Sequence, residues 1–466
     1  MREHNQMKKY LFGLLVFGCA MLSSCIKDDD DDVVLSSDCY IVDFSLESIK
    51  QMIRTKASDG SDSTYTVNID GRYFPMTIDH RNQIIENRDS LPFNSIITNL
   101  KATVSYSGSM LSYRPVDAKE DSLWTAYKTS DSINFSKPLH FSVTALDGQT
   151  FRKYTVKLNV HQQEGDSLYW ACSDSVVAGL EGMTGIKAAA LDGKLLVLGQ
   201  TENGVGLLVR DGLGVAGNWE QQNTSLPADA DLTTLRVNND RLYLTSESGS
   251  LYTSKDGQTW ETLGIQQEGL TLAAVTNQFY YALMNGKLYR SADAVEWTEE
   301  ELDEENTYLP QDRMLSVSYI QNNGNKRLFI AGASNDGDGA VGLAWSKMWR
   351  SDVVEGDAMW MHFNRSTGND YYFPLLEGQS LFPYDGRLMT FGGKRIDKEG
   401  ESMGCLYVSN DNGITWKQDL ELHLPFELRG VEGPLAATVD ANHYIWIIAN
   451  QQVWRGRLNR LGFVHP

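Results

Sequence analysis

The sequence predicts an all-β protein in which a β-sandwich is followed by a six-bladed β-propeller. Short runs of β-branched and aromatic residues alternate with Gly- and Asp-containing turns along the chain. A strand–turn–strand unit recurs six times in the C-terminal two thirds, and such recurrence is typical of propellers. The chain also contains 40 Gly, 21 Tyr and 11 Trp. That composition favours many short strands over long helices.

Composition and charge exclude several classes of partner. The 466 residues include 61 Asp and Glu against 41 Lys and Arg, which gives a formal net charge of −20. So acidic a surface repels polyanions, and we expect no nucleic-acid binding. Beyond the N-terminal segment only Cys39, Cys172 and Cys405 remain, far apart and without zinc spacing. We therefore expect buried, unpaired thiols. We also expect no cofactor and a monomer.

The N-terminus has the pattern of a lipoprotein signal peptide over residues 1–24. Lys8 and Lys9 precede an apolar stretch that is short for a membrane span. It ends in Leu-Ser-Ser-Cys25, which resembles the bacterial lipobox. The resemblance implies that Cys25 is the first mature residue and carries lipid. The alternative is an unmodified cysteine at the end of an ordinary signal sequence.

An acidic tether follows over residues 25–37. Lys27, Asp28 and Asp29, with three further Asp behind them, resemble the surface-export signal of Bacteroidetes lipoproteins. The resemblance implies an outer-membrane protein that is anchored by lipid alone and exposed at the cell surface. A periplasmic location is the alternative. The run is also explained as a solvated tether, because adjacent carboxylates repel one another, and the two interpretations are compatible.

Residues 38–161 alternate between apolar and polar in the manner of strands. Phe141–Ala145 and Tyr154–Leu158 are β-branched runs on either side of a turn that contains Asp147 and Gly148, which predicts a hairpin. The pattern V-T-A-x-D-G followed by Y-T-V resembles the closing hairpin of cadherin-like and immunoglobulin-like modules in Bacteroidetes lipoproteins. The resemblance implies an immunoglobulin-like β-sandwich that spaces the next domain from the membrane.

Residues 162–466 contain the repeat, in which a tight polar turn leads into an apolar strand. Its six copies are Asp192–Val197, Asn239–Leu244, Asn277–Tyr281, Asn325–Ile330, Asp385–Met389 and Asn442–Trp446. Six units of this kind match six propeller blades of four antiparallel strands. The last copy lacks an outer strand. Residues 168–172, which precede the first copy, are expected to supply that strand and close the ring.

A second motif lies between these repeats. Its residue types suit a β-turn, since Asp accepts hydrogen bonds from backbone N–H groups, Gly adopts positive φ, and Trp packs on the sheet. The motif resembles the Asp-box, S-x-D-x-G-x-T-W, of propellers such as sialidases, sortilin-type receptors and some glycanases. The resemblance implies structural roles at blade edges. The complete copy comprises Ser409, Asp411, Gly413, Thr415 and Trp416; the near copies are Ser254, Asp256, Gly257 and Trp260, and Ser291, Asp293 and Trp297.

Three common catalytic motifs are absent from the sequence. There is no HExxH, no G-x-S-x-G and no Walker loop. A sialidase would need converging arginines, and a glycosidase two carboxylates about 5–10 Å apart. Candidates exist for both, but sequence does not show convergence, and we expect the acidic run 299–305 to be a solvated loop. The candidates are Arg236, Arg313, Arg395, Arg429, Glu247, Asp312, Glu377 and Glu432.

Two further segments have alternative interpretations. Residues 334–339 offer oxygen ligands of the kind that Ca²⁺ prefers, although a polar blade turn explains them better. The aromatic turn 369–374 is either a stacking surface for a sugar or a packed loop between blades.

The sequence thus favours a cell-surface lipoprotein whose propeller binds a glycan or protein ligand without catalysis, through loops around its central opening. The alternatives are a glycoside hydrolase or lyase acting on an extracellular polysaccharide, and a structural component of an envelope complex, because a fold does not decide a function.

Overall fold

A computed structural model describes residues 35–56, 61–119, 123–334, 341–350, 352–363, 371–397, 406–419, 422, 424–428 and 433–463. The regular elements in these ranges are β-strands and short 3-10 helices, which confirms the all-β class. None of the helices there is long and apolar enough to cross a bilayer. Two compact units divide between Gln162 and Gln163. Cys25, Lys27, Asp28 and Asp29 lie outside the described residues.

The first unit contains three sheets built from eleven strands. One is six-stranded (order β4-β5-β11-β10-β8-β9), one is three-stranded (β3-β2-β6), and one pairs β1 with β7. Their bounds are β1 Tyr40–Leu46, β2 Ser48–Lys56, β3 Asp62–Asp70, β4 Met76–Asp79, β5 Ile84–Asn87, β6 Ser95–Ile96, β7 Ala102–Ser107, β8 Met110–Pro115, β9 Thr125–Ala126, β10 Leu139–Thr144 and β11 Phe151–Lys157; a 3-10 turn covers Gly71–Tyr73.

The predicted hairpin is present as β10 and β11, which pair antiparallel from Leu139 opposite Val156 to Thr144 opposite Phe151. Phe141 of β10 is fully buried and lies edge-on to the ring of Phe44, at 5.5 Å between ring centroids. The strands therefore bury one face, as their alternation predicts. The immunoglobulin-like assignment of this unit stays a prediction.

The second unit is a propeller of six four-stranded antiparallel sheets, which confirms the predicted six blades. We number the blades 1 to 6 along the chain. Their strands are β13 Thr184–Leu191, β14 Lys194–Thr201, β15 Gly204–Asp211 and β16 Asn218–Gln222 in blade 1; β17 Ala230–Asn238, β18 Arg241–Ser246, β19 Leu251–Ser254 and β20 Glu261–Leu263 in blade 2; and β21 Thr271–Val275, β22 Tyr280–Met284, β23 Lys287–Ser291 and β24 Thr298–Glu299 in blade 3.

Blades 4 and 5 follow the same pattern, and blade 6 takes its outer strand, β12, from the start of the unit. Their strands are β25 Asp312–Ile320, β26 Lys326–Ala333, β27 Gly342–Trp349 and β28 Trp360–His362; β29 Ser380–Tyr384, β30 Arg387–Phe391, β31 Leu406–Ser409 and β32 Lys417–Gln418; and β33 Leu435–Val439, β34 Ile445–Ala449, β35 Gln452–Leu458 and β12 Leu168–Asp174. The 3-10 turns cover Ala178–Leu180, Asn306–Tyr308, Glu355–Asp357, Phe426–Leu428 and Asn459–Gly462.

The ring closes through β12, as the sequence predicts. This strand pairs antiparallel with β35, from Leu168 opposite Leu458 to Asp174 opposite Val453. Next to this pairing, the fully buried Arg210 of β15 donates from Nε to Asp174 Oδ2 at 2.8 Å. The closing strand of blade 6 is thereby joined to blade 1 by a buried ion pair.

One expectation about the cysteines is wrong. Cys39 is buried, as expected, but Cys172 is exposed, and both thiols are unpaired. The physical reason is the position of Cys172 on β12, the outer strand of blade 6, which has a neighbour on one edge only. Cys405 lies outside the described residues.

Candidate functional site

The strand directions assign two distinct faces to the propeller. The first strand of each blade (β13, β17, β21, β25, β29 and β33) contacts the first strand of the next, so these six surround the axis. Because neighbouring strands are antiparallel, all six start at one face, which we call the entrance face. The hairpin between the third and fourth strands of a blade, where each Asp-box lies, closes at the opposite face.

Two cavities follow one another along the axis. The entrance cavity, of about 490 Å³, is lined by the beginnings of the inner strands and the residues just before them. The channel cavity, of about 370 Å³, is lined by the continuation of those strands. Lys187, Leu315 and Gln379 border both, so they lie where the two cavities meet. These volumes are in the range of small-ligand sites.

The inner strands of blades 1 to 4 shift register near the entrance face, and the shifts in blades 1, 2 and 4 span residues that border the cavities. These three shifts fall between Thr184 and Lys187, between Asp231 and Arg236, and between Asp312 and Leu315. Such bulges redirect side chains and are frequent beside functional sites. Arg313, inside the third bulge, also has a positive φ of 52°. A left-handed conformation is unfavourable for a non-glycine residue and persists only where surrounding contacts impose it.

Arg236 of blade 2 lies at the wall of the channel cavity, beside the inner strand of blade 3. It is buried, and its guanidinium donates to five carbonyl oxygens from the inner strands of three blades. Burial lowers the pKa of Arg236 to about 10, although Asp231 opposes the shift. All of its donors are occupied, so Arg236 supplies positive charge to the channel but has no hydrogen bond left for a ligand. The acceptors are the carbonyls of Ala273 (2.8 Å), Thr233 (3.0 Å), Leu235 (3.0 Å), Leu272 (3.3 Å) and Met314 (3.0 Å).

Lys187 differs from Arg236 in having an unsatisfied charge. It is half-buried and borders both cavities, and its amine has no hydrogen-bond or ion-pair partner within the described part of the chain. Burial lowers the pKa of Lys187 to about 8; nearby Arg236 lowers it further, and Asp231 acts against both. A buried ammonium without a partner is unfavourable, and an anion placed beside it removes that cost.

No described carboxylate lines these cavities. Among the described residues that border either one, none is Asp or Glu. Asp231, Asp312 and Glu377 lie within two positions of lining residues in sequence but do not border the cavities themselves. Asp312 instead faces Arg313, with Oδ2 3.5 Å from Nε.

The other candidate residues from the sequence either do not border the cavities or lie outside the described residues. Arg395 donates to Asp397 at 2.8 Å in a buried ion pair and does not border the cavities. Arg429, Glu432 and residues 335–339 of the calcium candidate lie outside the described residues. Over the ranges that are described, no three His, Cys, Asp or Glu side chains are grouped as metal ligands.

The complete Asp-box forms a turn between β31 and β32. Asp411 Oδ1 accepts hydrogen bonds from Ser409 Oγ at 2.8 Å and from the Thr415 amide at 2.9 Å, and Oδ2 accepts from Thr415 Oγ1 at 2.6 Å. Burial alone would raise the pKa of Asp411, but these hydrogen bonds outweigh it and lower the pKa. Trp416 is buried and donates from Nε1 to Gly413 O at 3.0 Å.

The near copies have the same carboxylate geometry. Asp256 accepts from Ser254 Oγ at 3.1 Å, and Trp260 Nε1 donates to Gly257 O at 2.8 Å. The near copy at residues 291–297 also keeps its carboxylate hydrogen bond, which Ser291 Oγ donates to Asp293 at 3.0 Å. Its Trp297 Nε1, however, is buried without a partner. All three boxes are hydrogen-bonded within their own turns, on the face opposite the entrance cavity.

The aromatic turn at 371–374 covers the Asp-box of blade 5. The amide of Trp416 donates to Tyr371 O at 2.8 Å, and the Phe373 ring lies edge-on to the indole at 5.1 Å. Tyr371 is exposed, with the Lys417 amine 4.6 Å from its ring centre. This packing favours the interpretation as a packed loop. Asn369 and Asp370 lie outside the described residues.

The acidic run 299–305 is not the fully solvated loop that its charge predicts. Its second residue, Glu300, is buried rather than solvated. It accepts from Lys347 Nζ at 2.5 Å, from Trp360 Nε1 at 2.6 Å and from Arg290 Nη1. Burial lowers the pKa of Lys347, and Glu300 opposes that shift. The carboxylate therefore holds two cations of blades 3 and 4 together, a role that the run of like charges concealed.

The family of the chain follows from comparison with known families. Residues 164–466, well over half of the chain, match the family model described as the DUF6242 beta propeller domain. The chain belongs to the DUF6242 family. Residues 44–158 match the companion model, described as the N-terminal domain of unknown function DUF6242. No curated protein matches this DUF6242 chain.

Three solved structures that are similar to the DUF6242 chain share low sequence identity with it. The Penicillium chrysogenum alpha-L-arabinanase complexed with arabinobiose is 13% identical over 63% of this chain and 97% of its own, with a TM-score of 0.37. YCF48 from Cyanidioschyzon merolae is 13% identical (62% and 98%, TM-score 0.32), and the endo-arabinase from Bacteroides thetaiotaomicron is 11% identical (61% and 95%, TM-score 0.29). At these values no activity transfers to this chain.

Proposed function

We propose that the propeller binds a sugar residue of a glycan in the entrance cavity, without chemical conversion of it. The observation that carries this proposal is the cavity itself, about 490 Å³ at the start of the inner strands. A concave site of this size suits one or two sugar rings better than a flat protein surface.

The lining supports the same proposal. Thr184 and Thr233 provide hydroxyl groups for sugar hydroxyls, and Ile186 and Pro434 provide apolar surface for the face of a ring. The side-chain amide of Gln379 is already hydrogen-bonded to Leu376, Pro374 and Thr390. Both kinds of group are needed, because a sugar has polar edges and apolar C–H faces. No described lining residue of the entrance cavity is aromatic, so the proposal does not rest on a stacking platform.

Binding without catalysis is favoured over hydrolysis by the same lining. Glycoside hydrolysis needs two carboxylates on either side of the scissile bond, and the described residues that border the cavity contribute none. The cations there suit binding of a ligand better than protonation of a leaving group.

A glycan panel with product analysis tests both parts of the proposal. The full chain is incubated with a set of extracellular polysaccharides; bound material is measured, and the same solutions are analysed for shortened or unsaturated products. We expect retention of at least one glycan and no product. Product formation would replace binding by catalysis, and retention of none of the glycans would refute glycan recognition.

We also propose that Cys25 carries lipid and that Lys27, Asp28 and Asp29 direct export to the cell surface, where the propeller would meet its ligand. The support is the sequence pattern alone. Cys25→Ala is expected to move the protein from the membrane fraction to the soluble fraction. Retention of the variant in the membrane fraction would refute lipidation at this residue.

A further inference from the structure

The charge of the entrance cavity is opposite to that of the protein. The chain has a formal net charge of −20. Yet Lys187 and Arg313 border the cavity, Arg236 lies beside it, and no described lining residue is acidic. A cationic cavity in an acidic protein concentrates anions locally that the rest of the surface repels.

Of the three cations, Lys187 is the one whose charged group has neither a hydrogen-bond nor an ion-pair partner among the described residues. The donors of Arg236 are occupied by backbone carbonyls. Arg313 faces the carboxylate of Asp312 at 3.5 Å. The amine of Lys187 has no partner within the described ranges and offers three N–H donors where the cavities meet.

We infer that the sugar bound in the entrance cavity carries a carboxylate, as a uronic-acid residue does, and that the ammonium of Lys187 pairs with it. This inference rests on the proposed glycan binding and names the class of glycan. One unpaired ammonium balances one negative charge, so a carboxylate fits the site better than a doubly charged phosphate group. The hydroxyl-bearing and apolar lining then holds the remainder of the sugar ring.

The pairing makes binding dependent on pH. The charged groups that act on Lys187 are Arg236 and Asp231 of blade 2. Arg313 of blade 4 borders the same cavity and faces Asp312. Guanidinium and carboxylate groups ordinarily keep their charge between pH 7 and 9. Lys187, with a pKa of about 8, loses its proton in that range. Affinity for a carboxylate is therefore expected to fall as the pH rises from 7 to 9.

The test compares oligosaccharides that differ only in the carboxylate. Binding of trigalacturonate, its methyl ester and neutral galactotriose to the full chain is measured by calorimetry. The variants are Lys187→Met and, as a matched control, Lys194→Met, since Lys194 is an exposed lysine at the other end of blade 1. Inorganic sulfate is titrated in parallel as a simple anion.

We expect trigalacturonate to bind at least tenfold more tightly than the ester or the neutral trisaccharide. Lys187→Met is expected to remove that preference and the pH dependence, while Lys194→Met retains both. Equal binding of all three sugars, unchanged in Lys187→Met, would overturn the inference while leaving glycan binding intact. Sulfate binding as tight as that of trigalacturonate would also overturn it, because the site would then recognise an anion and no sugar.

Failure of the proposed function has a different signature. If no oligosaccharide binds, the ¹³C-methylated amine of Lys187 is followed by NMR during titration with glucuronate. A rise in the pKa of that amine, absent with glucose, would support the carboxylate site and limit the failure to glycan recognition. An unchanged pKa would refute the carboxylate site as well.

Discussion

At the residue scale, the unpaired amine of Lys187 costs the folded protein stability at neutral pH. Its pKa is about 8 in the folded state, against 10.5 for an ordinary lysine. Between these values the unfolded chain binds more protons than the folded chain, so the free energy of unfolding rises with pH. Below pH 8 both states are protonated and the full cost remains, roughly 3 kcal/mol at about 1.4 kcal/mol per pKa unit.

We therefore predict that Lys187→Met raises the free energy of unfolding at pH 7, by at most about 3 kcal/mol. The advantage over the unmodified protein is expected to shrink between pH 8 and 10.5, where Lys187 loses its charge in the folded state. Urea denaturation at pH 7 and pH 10 measures both quantities. A difference that is the same at the two pH values would show that the amine is not the source of the cost.

Substitutions in the complete Asp-box are expected to lower the stability of the propeller without changing ligand binding. Asp411→Ala removes three hydrogen bonds and is expected to cost about 1–3 kcal/mol, whereas Trp416→Ala empties a buried site and is expected to cost about 3–5 kcal/mol. Thermal melting measures the losses. Ligand affinity well below the melting temperature should not change, because the box and the entrance cavity lie on opposite faces. Loss of binding with unchanged melting would place the functional surface at the box instead.

At the element scale, Glu300 joins strands of blades 3 and 4. Removing one partner of a buried ion pair leaves the other charge uncompensated, which costs about 3–5 kcal/mol. Glu300→Gln would leave Lys347 and Arg290 in that state. We predict a loss of stability of this size by chemical denaturation. The control is Glu301→Gln, one residue away and exposed, which should change the free energy of unfolding by less than about 0.5 kcal/mol. Equal effects of the two variants would contradict a specific role for Glu300.

The elements could be predicted because their signals are local. Alternation and turn residues are sufficient to identify a strand such as β10 or a box such as that of Asp411, and six repeats give six blades. Burial of charge could not be predicted in the same way, because it depends on residues distant in sequence. A partial signal existed: Lys347 stands between Trp345 and Trp349 at the buried phase of β27, and Arg236 stands at the buried phase of β17. A charged residue at a buried strand position indicates that a polar partner or a channel lies beside it.

The candidate site could be predicted only in part from the sequence. Arg236 and Arg313 were candidates for their residue type, but the sequence did not show that both border the cavities along the axis. Lys187 was missed, because it lies in an unremarkable strand and its importance comes from what surrounds it in the ring. Which side chains converge on the axis is a property of blade geometry and of the bulges that redirect them.

At the scale of the whole molecule, the propeller depends on a strand that comes from the far end of its own sequence. Within this unit β12 precedes blade 1 yet completes blade 6, and Trp170 packs on Gly456 of β35. Without β12 the backbone groups of β35 would be exposed along a sheet edge, which is a template for aggregation. The buried Arg210 would also lose the carboxylate of Asp174.

The ring is therefore expected to tolerate a truncation that ends before β12 but not one that removes β12. A fragment of residues 163–466 keeps the whole second unit and should unfold in one cooperative transition. A fragment of residues 175–466 lacks β12, and we predict a lower melting temperature together with oligomers detectable by light scattering. The two fragments differ by only twelve residues, so the comparison isolates ring closure from other effects of truncation. If the shorter fragment were monomeric and melted at the same temperature, the pairing of β12 with β35 would contribute little to the stability of the ring.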